Sequence, residues 1–182
     1  MVQHSAGNGL PLGAEVNQKF RKYIYLDSGL MLRILDMEMG SARPLTELIL
    51  AGAAEELVNK GQITEMVAGW EIIKSLSPRT GHDLYYWENI ADGATAEIDY
   101  LTTKDMQVVP VEIKSGTTGK MKSLRLFMRN KHLIYAKRCS LENFGVLEFT
   151  DTDDTHNADV LKHIYIHPLY CLSTVGIVDD TM

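Results

Sequence analysis

Three strand-like runs joined by short turns constrain the fold of this chain more than any other feature. They are "DLYYWEN" (83–89), "TAEIDYLTT" (95–103) and "QVVPVEIKS" (107–115). The segments between them, "IADGA" and "KDMQ", are short, and the first contains an Asp-Gly turn signal. Connections of this kind join antiparallel neighbours. The sequence therefore predicts a three-stranded antiparallel meander around which the other elements pack.

A helix is predicted on each side of the meander. Residues 62–76 carry two apolar stripes, Ile63, Met66, Val67, Trp70 and Ile73 on one side and Ala68, Gly69, Ile72 and Leu76 on the other. A helix that is apolar on two sides is expected between two layers. "KMKSLRLFMRN" (120–130) has the period of an amphipathic helix, and "HLIYAKR" (132–138) predicts a further strand. This order of elements predicts an α/β fold with a central mixed sheet flanked by helices.

The N-terminal part of the chain predicts fewer regular elements. We interpret residues 1–22 as a lead-in segment, because "SAGNGLPLG" has the composition of a loop or hairpin tip. Residues 23–182 then form the domain, beginning with a short strand-like run at 23–26. Asp27 is well placed to cap a following helix, and another helix is expected to begin near Pro44.

Length and composition indicate the general class of protein. The 182 residues suffice for one well-packed domain. No apolar run approaches the roughly 18 residues of a membrane span, and the N-terminus lacks the pattern of a secretory signal. Two cysteines, Cys139 and Cys171, are too few for a disulfide framework. We therefore expect a cytoplasmic protein without a membrane partner; its oligomeric state is left open.

Charge is distributed unevenly along the chain. The net charge of −6 argues mildly against nucleic acid as a partner. Residues 114–138, however, contain eight basic residues and no acidic one, so the rest of the chain carries −14. Such a segment can follow a phosphate backbone, or it can be a solvated helix face. Charge alone favours the second interpretation.

Two acidic positions stand out before and within the meander. Glu65 lies on the second apolar side of the predicted helix, where an unpaired carboxylate needs a cation, a metal or strong donors. Alternatively it is a first-turn glutamate that reaches water and interacts with the helix dipole. In "TAEIDYL", strand alternation places Glu97 and Asp99 on one face and Ile98 and Tyr100 on the other.

The third strand-like run adds an ionisable pair to this region. Glu112 and Lys114 share one strand face, and the hairpin brings Asp99 nearly opposite Glu112. The two carboxylates would repel unless a cation intervened, and Lys114 with a divalent ion could supply that charge. An isolated E-x-K is more often a surface salt bridge. Asp99 and Glu65 together favour a site.

These motifs resemble a known superfamily. Asp99 followed by Glu112-x-Lys114 on a hairpin, after a helix bearing Glu65, resembles the PD-(D/E)XK nucleases. "NKGQITEMVAGWEI", "LYYWEN", "AEIDYL", "VVPVEIKSGTTGKMKSLRLF" and "HPLY" look like a domain of unknown function that usually forms the C-terminal part of bacterial and archaeal AAA+-type ATPases. The resemblance extends roughly from Gly7 to Tyr170. It implies a restriction-endonuclease-like core, and residues 1–22 would be the remnant of a preceding winged-helix module.

The resemblance also implies roles for individual residues. Asp99, Glu112 and the carbonyl of Ile113 would hold Mg²⁺ or Mn²⁺, and Glu65 would complete the metal site. Lys114 would orient the attacking water or stabilise charge developing on phosphate. The accessory carboxylate would be Glu97, and the residues expected to contact nucleic acid are Lys120, Lys122, Arg125 and Arg129.

The expected function is a Mg²⁺-dependent nuclease-like domain, tied to a AAA+-type ATPase module that is fused upstream or separate. The alternative is a non-catalytic partner-recognition or assembly module with a vestigial metal site. Ile98 stands where the superfamily motif has its proline, which bears on cleavage more than on metal binding. "GTTGK" (116–120) lacks the spacing of a phosphate-binding P-loop, so no ATP site is expected in this chain.

Overall fold

The computed structural model describes residues 1–39, 60–76, 83–89, 96–117, 119–153 and 158–174. Within these ranges the α-helices are α1 (Ser28–Met39), α2 (Lys60–Ser75) and α3 (Lys122–Asn130). The strands are β1 (Val2–Ser5), β2 (Val16–Lys22), β3 (Leu84–Glu88), β4 (Glu97–Lys104), β5 (Gln107–Ile113), β6 (Tyr135–Ser140), β7 (Gly145–Asp153) and β8 (Ala158–Pro168). The helix predicted near Pro44 lies outside the described residues.

One mixed sheet contains all eight of these strands, in the order β2-β1-β3-β4-β5-β6-β8-β7. β3, β4 and β5 form the predicted antiparallel meander. β6 pairs in parallel with β5 and with β8, and β7 returns antiparallel to β8 at the edge. The chain passes through α3 between β5 and β6, as a parallel connection requires. The fold is therefore mixed α/β, with a central mixed sheet as predicted.

The two faces of the sheet carry separate apolar cores. Ala68 and Ile72 of α2 pack with buried side chains of the sheet, among them Val111. Leu124 and Phe127 of α3 belong to a second core that contains other strand residues. Because the two helices belong to different cores, helices cover both faces, which confirms the predicted layering.

An irregularity in β4 decides which of its side chains reach α2. The pairing with β3 shifts between Tyr85 and Trp87, so that three steps along β4 match two along β3. Ile98 and Leu101 consequently lie in the core with α3, whereas Tyr100 lies in the core with α2. The predicted alternation, with Ile98 and Tyr100 on one face, is wrong because a bulge reverses the side on which later residues lie.

The N-terminal segment belongs to the same sheet. We expected residues 1–22 to be a lead-in outside the domain, but β1 lies between β2 and β3, and Val2 pairs with Leu84. Val2 and Leu12 are buried, because this pairing extends both cores. The predicted hairpin tip is present between β1 and β2. The derivation of this segment from a winged-helix module stays a prediction.

The chain leaves β2 and enters α1 through residues 23–27. The strand ends at Lys22, so the strand-like run predicted at 23–26 is wrong. The Asp27 carboxylate accepts the backbone N–H of Leu30 at 2.7 Å, which confirms the predicted N-cap. Met31 of α1 and Met66 of α2 pack together, as expected for a helix that is apolar on two sides. None of the described helices has the length and apolar character needed to span a membrane.

Candidate metal site

Three carboxylates from two elements converge beside the bulge. Glu65 comes from α2, and Glu97 and Asp99 come from β4. One oxygen from each of the three lies within 4.8 Å of the other two. The bulge explains how Asp99 and Tyr100, which are adjacent in sequence, both turn towards α2. This trio, Glu65, Glu97 and Asp99, is called the carboxylate cluster below.

A close contact between α2 and β4 positions the cluster. The Tyr100 hydroxyl donates a hydrogen bond to the backbone carbonyl of Glu65 at 2.7 Å. Gly69 permits this approach, because a Cβ added there would lie 2.5 Å from the Tyr100 hydroxyl oxygen. The helix thus carries Glu65 to β4 through a backbone contact and leaves its carboxylate available.

Asp99 is held in a buried and acidic environment. Its Oδ2 accepts the backbone N–H of Ile113 at 2.6 Å, which fixes the carboxylate at the end of β5. Burial, with the nearby charges of Glu112 and Glu65, raises the pKa of Asp99 to about 8. The hydrogen bond from Ile113 and the charge of Lys22 oppose this rise without cancelling it. An ionised Asp99 is therefore a group in need of positive charge.

Glu112 and Lys114 form the predicted pair next to Asp99. Tyr100 pairs with Val111, and the same register continued by one residue places Asp99 opposite Glu112. The Glu112 carboxylate is buried and forms an ion pair with Lys114 through Oε1. Its Oε2 is buried and has no hydrogen-bond partner among the described residues. Burial raises the pKa of Glu112 more than Lys114 lowers it.

Arg138 of β6 supports this pair from the next strand. It pairs with Glu112 in the β5–β6 register, and its guanidinium is almost fully buried. Nη2 donates to the carbonyl of Thr117 at 3.2 Å and contacts Glu142 at 3.2 Å. Arg138 therefore fixes the segment that follows Lys114 to the sheet.

Lys22, which the sequence analysis did not single out, reaches into the carboxylate cluster. Its Nζ lies 2.8 Å from Glu65 Oε1 and also contacts Glu97. The same ammonium lies 4.8 Å from the centre of the Tyr86 ring. Burial disfavours the charged form, but Glu65 and Glu97 outweigh it and raise the pKa of Lys22. Sequence spacing gives no signal of this contact, which depends on β2 lying at one edge of the sheet.

A cleft of about 500 Å³ opens beside the cluster. Lys22, Glu65 and Glu97 lie on its charged side. Its other walls are mainly apolar or aromatic and include residues 23–25, Met31, Ile63 and Met66. A small ligand can therefore approach Glu65 and Glu97 from solvent, and Asp99 lies behind them within the cluster.

The donor set fits a hard divalent cation. Carboxylate oxygens are the ligands that Mg²⁺ and Mn²⁺ prefer, and the cluster offers three of them. The unpartnered Oε2 of Glu112 adds a buried acceptor on the neighbouring strand. The predicted ligand set paired Asp99 and Glu65 with Glu112 and the carbonyl of Ile113. The geometry instead groups Asp99 and Glu65 with Glu97, and Glu112 stands beside them.

The four basic residues expected to contact nucleic acid differ in their surroundings. Arg129 makes a bidentate ion pair with Asp151, with N···O distances of 2.8 to 3.0 Å. The Arg125 guanidinium lies 4.7 Å from the centre of the Phe149 ring. Lys120 and Lys122 are exposed. Two of the four thus have packing roles within the fold.

Comparison with known proteins identifies the family. A family model described as "Domain of unknown function (DUF4143)" matches residues 60–167, which is more than half of the chain. No curated protein and no solved structure matches the chain. The matched range begins with α2 and ends within β8, so it includes the carboxylate cluster and the Glu112–Lys114 pair but not Lys22. The chain belongs to the DUF4143 family, whose function is unknown.

Proposed function

We propose that this protein is a divalent-metal-dependent nuclease-like domain that hydrolyses phosphodiester bonds in nucleic acid. The observation that carries the proposal is the convergence of Glu65, Glu97 and Asp99 within 4.8 Å, next to the Glu112–Lys114 pair. The order α2, β3, β4, β5, α3, β6 is the one expected of a restriction-endonuclease-like core and supports the same function. Its partner would be a AAA+-type ATPase module, fused upstream or separate.

The residues divide the chemistry between them. Asp99, Glu65 and Glu97 would hold Mg²⁺ or Mn²⁺, with Glu112 and the carbonyl of Ile113 on the β5 side. A bound ion polarises a phosphoryl oxygen and lowers the pKa of bound water. Asp99 is already oriented by the N–H of Ile113, so little ordering is required of it on binding.

Lys114 would act on the phosphate. Its side chain is 30% exposed and is held by Glu112, so its ammonium is positioned yet accessible. Lys114 can donate to a nonbridging oxygen and stabilise the charge that develops there. Arg138 acts as a positioning residue, because it fixes the segment after Lys114 through the carbonyl of Thr117.

Cleavage assays test the proposal directly. The full chain is incubated with single- and double-stranded DNA and with RNA, with Mg²⁺, Mn²⁺ or chelator. Metal-dependent cleavage should fall at least about 100-fold in Asp99→Asn, since the variant loses a metal ligand. Asp105→Asn is the matched control, because Asp105 lies exposed in the turn between β4 and β5. Absence of metal-dependent cleavage, or equal cleavage by Asp99→Asn, contradicts the catalytic role.

A second candidate is a non-catalytic recognition or assembly module of a AAA+-type ATPase, with a vestigial metal site. The position of Lys22 favours it, because an ammonium already neutralises part of the charge of Glu65 and Glu97. Thermal melting distinguishes the two. A cation at about 100 times its Kd should stabilise the fold by roughly 2.7 kcal/mol. An unchanged melting temperature, or an equal shift in Asp99→Ala, supports the non-catalytic module.

A further inference from the structure

Lys22 occupies the charged side of the cleft that a metal ion would use. It is the last residue of β2, the edge strand of the sheet, and residues 23–25 after it line the same cleft. Its ammonium contacts two of the three cluster carboxylates, Glu65 and Glu97. The side chain is 24% exposed, so it has access to solvent.

We propose that Lys22 is an internal competitor for the metal site, and that a divalent ion binds the carboxylate cluster by displacing its ammonium. Lys22 would then set the metal affinity of the site. This inference rests on the proposed metal site and adds a determinant of its affinity.

Charge in the site is not balanced by Lys22 alone. Lys22 contacts Glu65 and Glu97, whereas Asp99 receives only the N–H of Ile113 as a hydrogen bond among the described contacts. Glu112, which is 5% exposed and lies opposite Asp99 in the extended register, retains a buried Oε2 without a described partner. Lys114 already pairs with Glu112, so two ammonium groups face four carboxylates. The acceptors that are left over indicate a site built for further positive charge.

Lys22 can leave the carboxylates by a side-chain rotation, because it is partly exposed. Its flexible stem carries a compact charge that can rotate into solvent. The Tyr86 ring, already 4.8 Å from Nζ, offers a cation–π contact nearby. Displacement therefore requires a side-chain rotation at an edge strand and no rearrangement of the sheet.

The inference is tested by measuring Mn²⁺ binding to the full chain by calorimetry, without any nucleic acid. Lys22→Met removes the charge and keeps the length of the side chain, so Mn²⁺ should bind at least about tenfold more tightly than to wild type. Lys19→Met, an exposed position on the same strand, should leave the affinity unchanged.

A second variant, Lys22→Arg, distinguishes competition from a loss of structure in Lys22→Met. Lys22→Arg keeps the charge and can hold a carboxylate with two N–H groups, so it should weaken Mn²⁺ binding several-fold. Opposite changes in Lys22→Met and Lys22→Arg support competition. A purely structural Lys22 would weaken binding in both variants or in neither.

The outcomes separate this inference from the proposed function. If wild type and Lys22→Met bind Mn²⁺ equally, Lys22 is not a competitor, and the metal site stands. If neither binds, the metal site and its competitor are both wrong. If only Lys22→Met binds, and Asp99→Asn in that background abolishes binding, Lys22 holds the wild-type site closed and the non-catalytic module is favoured.

Discussion

Two strand aspartates, Asp99 and Asp151, show how differently this fold treats the same side chain. Asp151 on β7 accepts a bidentate ion pair from Arg129 and lies 3.6 Å from the Lys162 ammonium. Asp99 on β4 has one described hydrogen bond, from the N–H of Ile113, and lies among other carboxylates. Hydrogen bonding from Arg129 lowers the pKa of Asp151, whereas burial raises that of Asp99.

The difference distinguishes a carboxylate whose charge the fold neutralises from one that lies among other carboxylates. Around Asp151 the fold supplies two cations for one carboxylate, which is the arrangement expected where two elements must stay joined. Around Asp99 the fold gathers three further carboxylates, Glu65, Glu97 and Glu112, and supplies Lys22 and Lys114. A buried carboxylate beside a cleft, with a raised pKa and surplus like charge, is a candidate for ligand binding rather than for stability. The following predictions test that distinction.

The largest expected effect is a loss of folding stability on substitution of Asp151. Asp151→Ala should destabilise the fold by about 2–3 kcal/mol, because it leaves the buried Lys162 ammonium without its carboxylate. Urea unfolding measures the loss. Asp159→Ala on β8 is the control, since Asp159 is exposed and, among the described residues, accepts a hydroxyl from Thr152 and no cation. If both variants lose the same unfolding free energy, the ion pairs of Asp151 with Arg129 and Lys162 do not stabilise the fold.

On the functional side, the contact between α2 and β4 can be broken at Gly69. Gly69→Ala should destabilise by about 1–2 kcal/mol, because the new methyl group meets the buried Tyr100 hydroxyl, and overpacking outweighs the gain in helix propensity. Gly61→Ala in the same helix meets no atom of the described residues within 4 Å and should be neutral or stabilising. Unfolding by urea compares both variants.

Removing the Tyr100 hydroxyl tests the same contact between α2 and β4 in a second way. Tyr100→Phe deletes the hydroxyl that the Gly69→Ala methyl would meet, so the double variant should recover part of the lost stability. Full additivity of the two substitutions would show that the tight approach of α2 to β4 is not the cause. Mn²⁺ affinity should fall in Gly69→Ala as well, because Glu65 moves with the helix.

The pH dependence of stability should also distinguish the two aspartates. The folded pKa of Asp99 is about 8, above its unfolded value, so the folded state binds the proton more tightly. Stability from this group is therefore full below about pH 4 and declines as pH rises towards 8. Asp99→Asn should flatten the decline and be the more stable protein near pH 8.

The contribution of Asp151 to stability should change with pH in the opposite direction. Its pKa is lowered in the folded state, so its contribution is present above the unfolded pKa and is lost as pH falls through the folded value. Asp151→Asn should reduce acid sensitivity below about pH 4 and leave the slope between pH 4 and 8 unchanged. Melting temperatures across pH 3 to 9, without metal, measure both curves. If melting temperature depends on pH in the same way in Asp99→Asn and Asp151→Asn, the opposite pKa shifts of the two aspartates do not govern stability.

The sequence was sufficient for the elements whose determinants are local. Short turns specify the β3–β5 meander, and apolar periods specify α2 and α3. The Asp27 cap follows from a residue type at one position. The ion pair of Glu112 and Lys114 follows from their spacing of two along a strand. For Glu65 the sequence left two interpretations open, and the contact with Lys22 supports the one in which it needs a cation.

Two features lay beyond such reasoning. The cation beside Glu65 is Lys22, which reaches it only because β1 pairs in parallel with β3, and a pairing across some eighty residues leaves no local pattern. The bulge in β4 turns both Asp99 and Tyr100 towards α2. A prediction that assumes regular alternation of side chains along a strand does not include the extra residue of a bulge. The sequence therefore predicted most of the carboxylates but neither their grouping nor their counter-ion.

The smallest expected effects concern the basic residues of α3, where structural and functional charge meet. Arg125→Ala should cost about 0.5 kcal/mol, because it removes a cation–π contact with Phe149 at an exposed position. Lys122→Ala, at an exposed position on the same helix, should cost less than roughly 0.3 kcal/mol. Chemical denaturation with matched samples resolves the difference.

Nucleic-acid binding should distinguish Arg125 and Lys122 from Arg129, whose guanidinium pairs with Asp151. If the α3 surface follows a phosphate backbone, Arg125→Ala and Lys122→Ala each remove one phosphate contact. Each should then reduce the slope of log K against log salt by about 1. Arg129→Ala should act mainly on stability, because Asp151 already holds that guanidinium. Unchanged affinity and slope in Arg125→Ala and Lys122→Ala would assign the α3 charges to the solvated surface and leave the carboxylate cluster as the site to be explained.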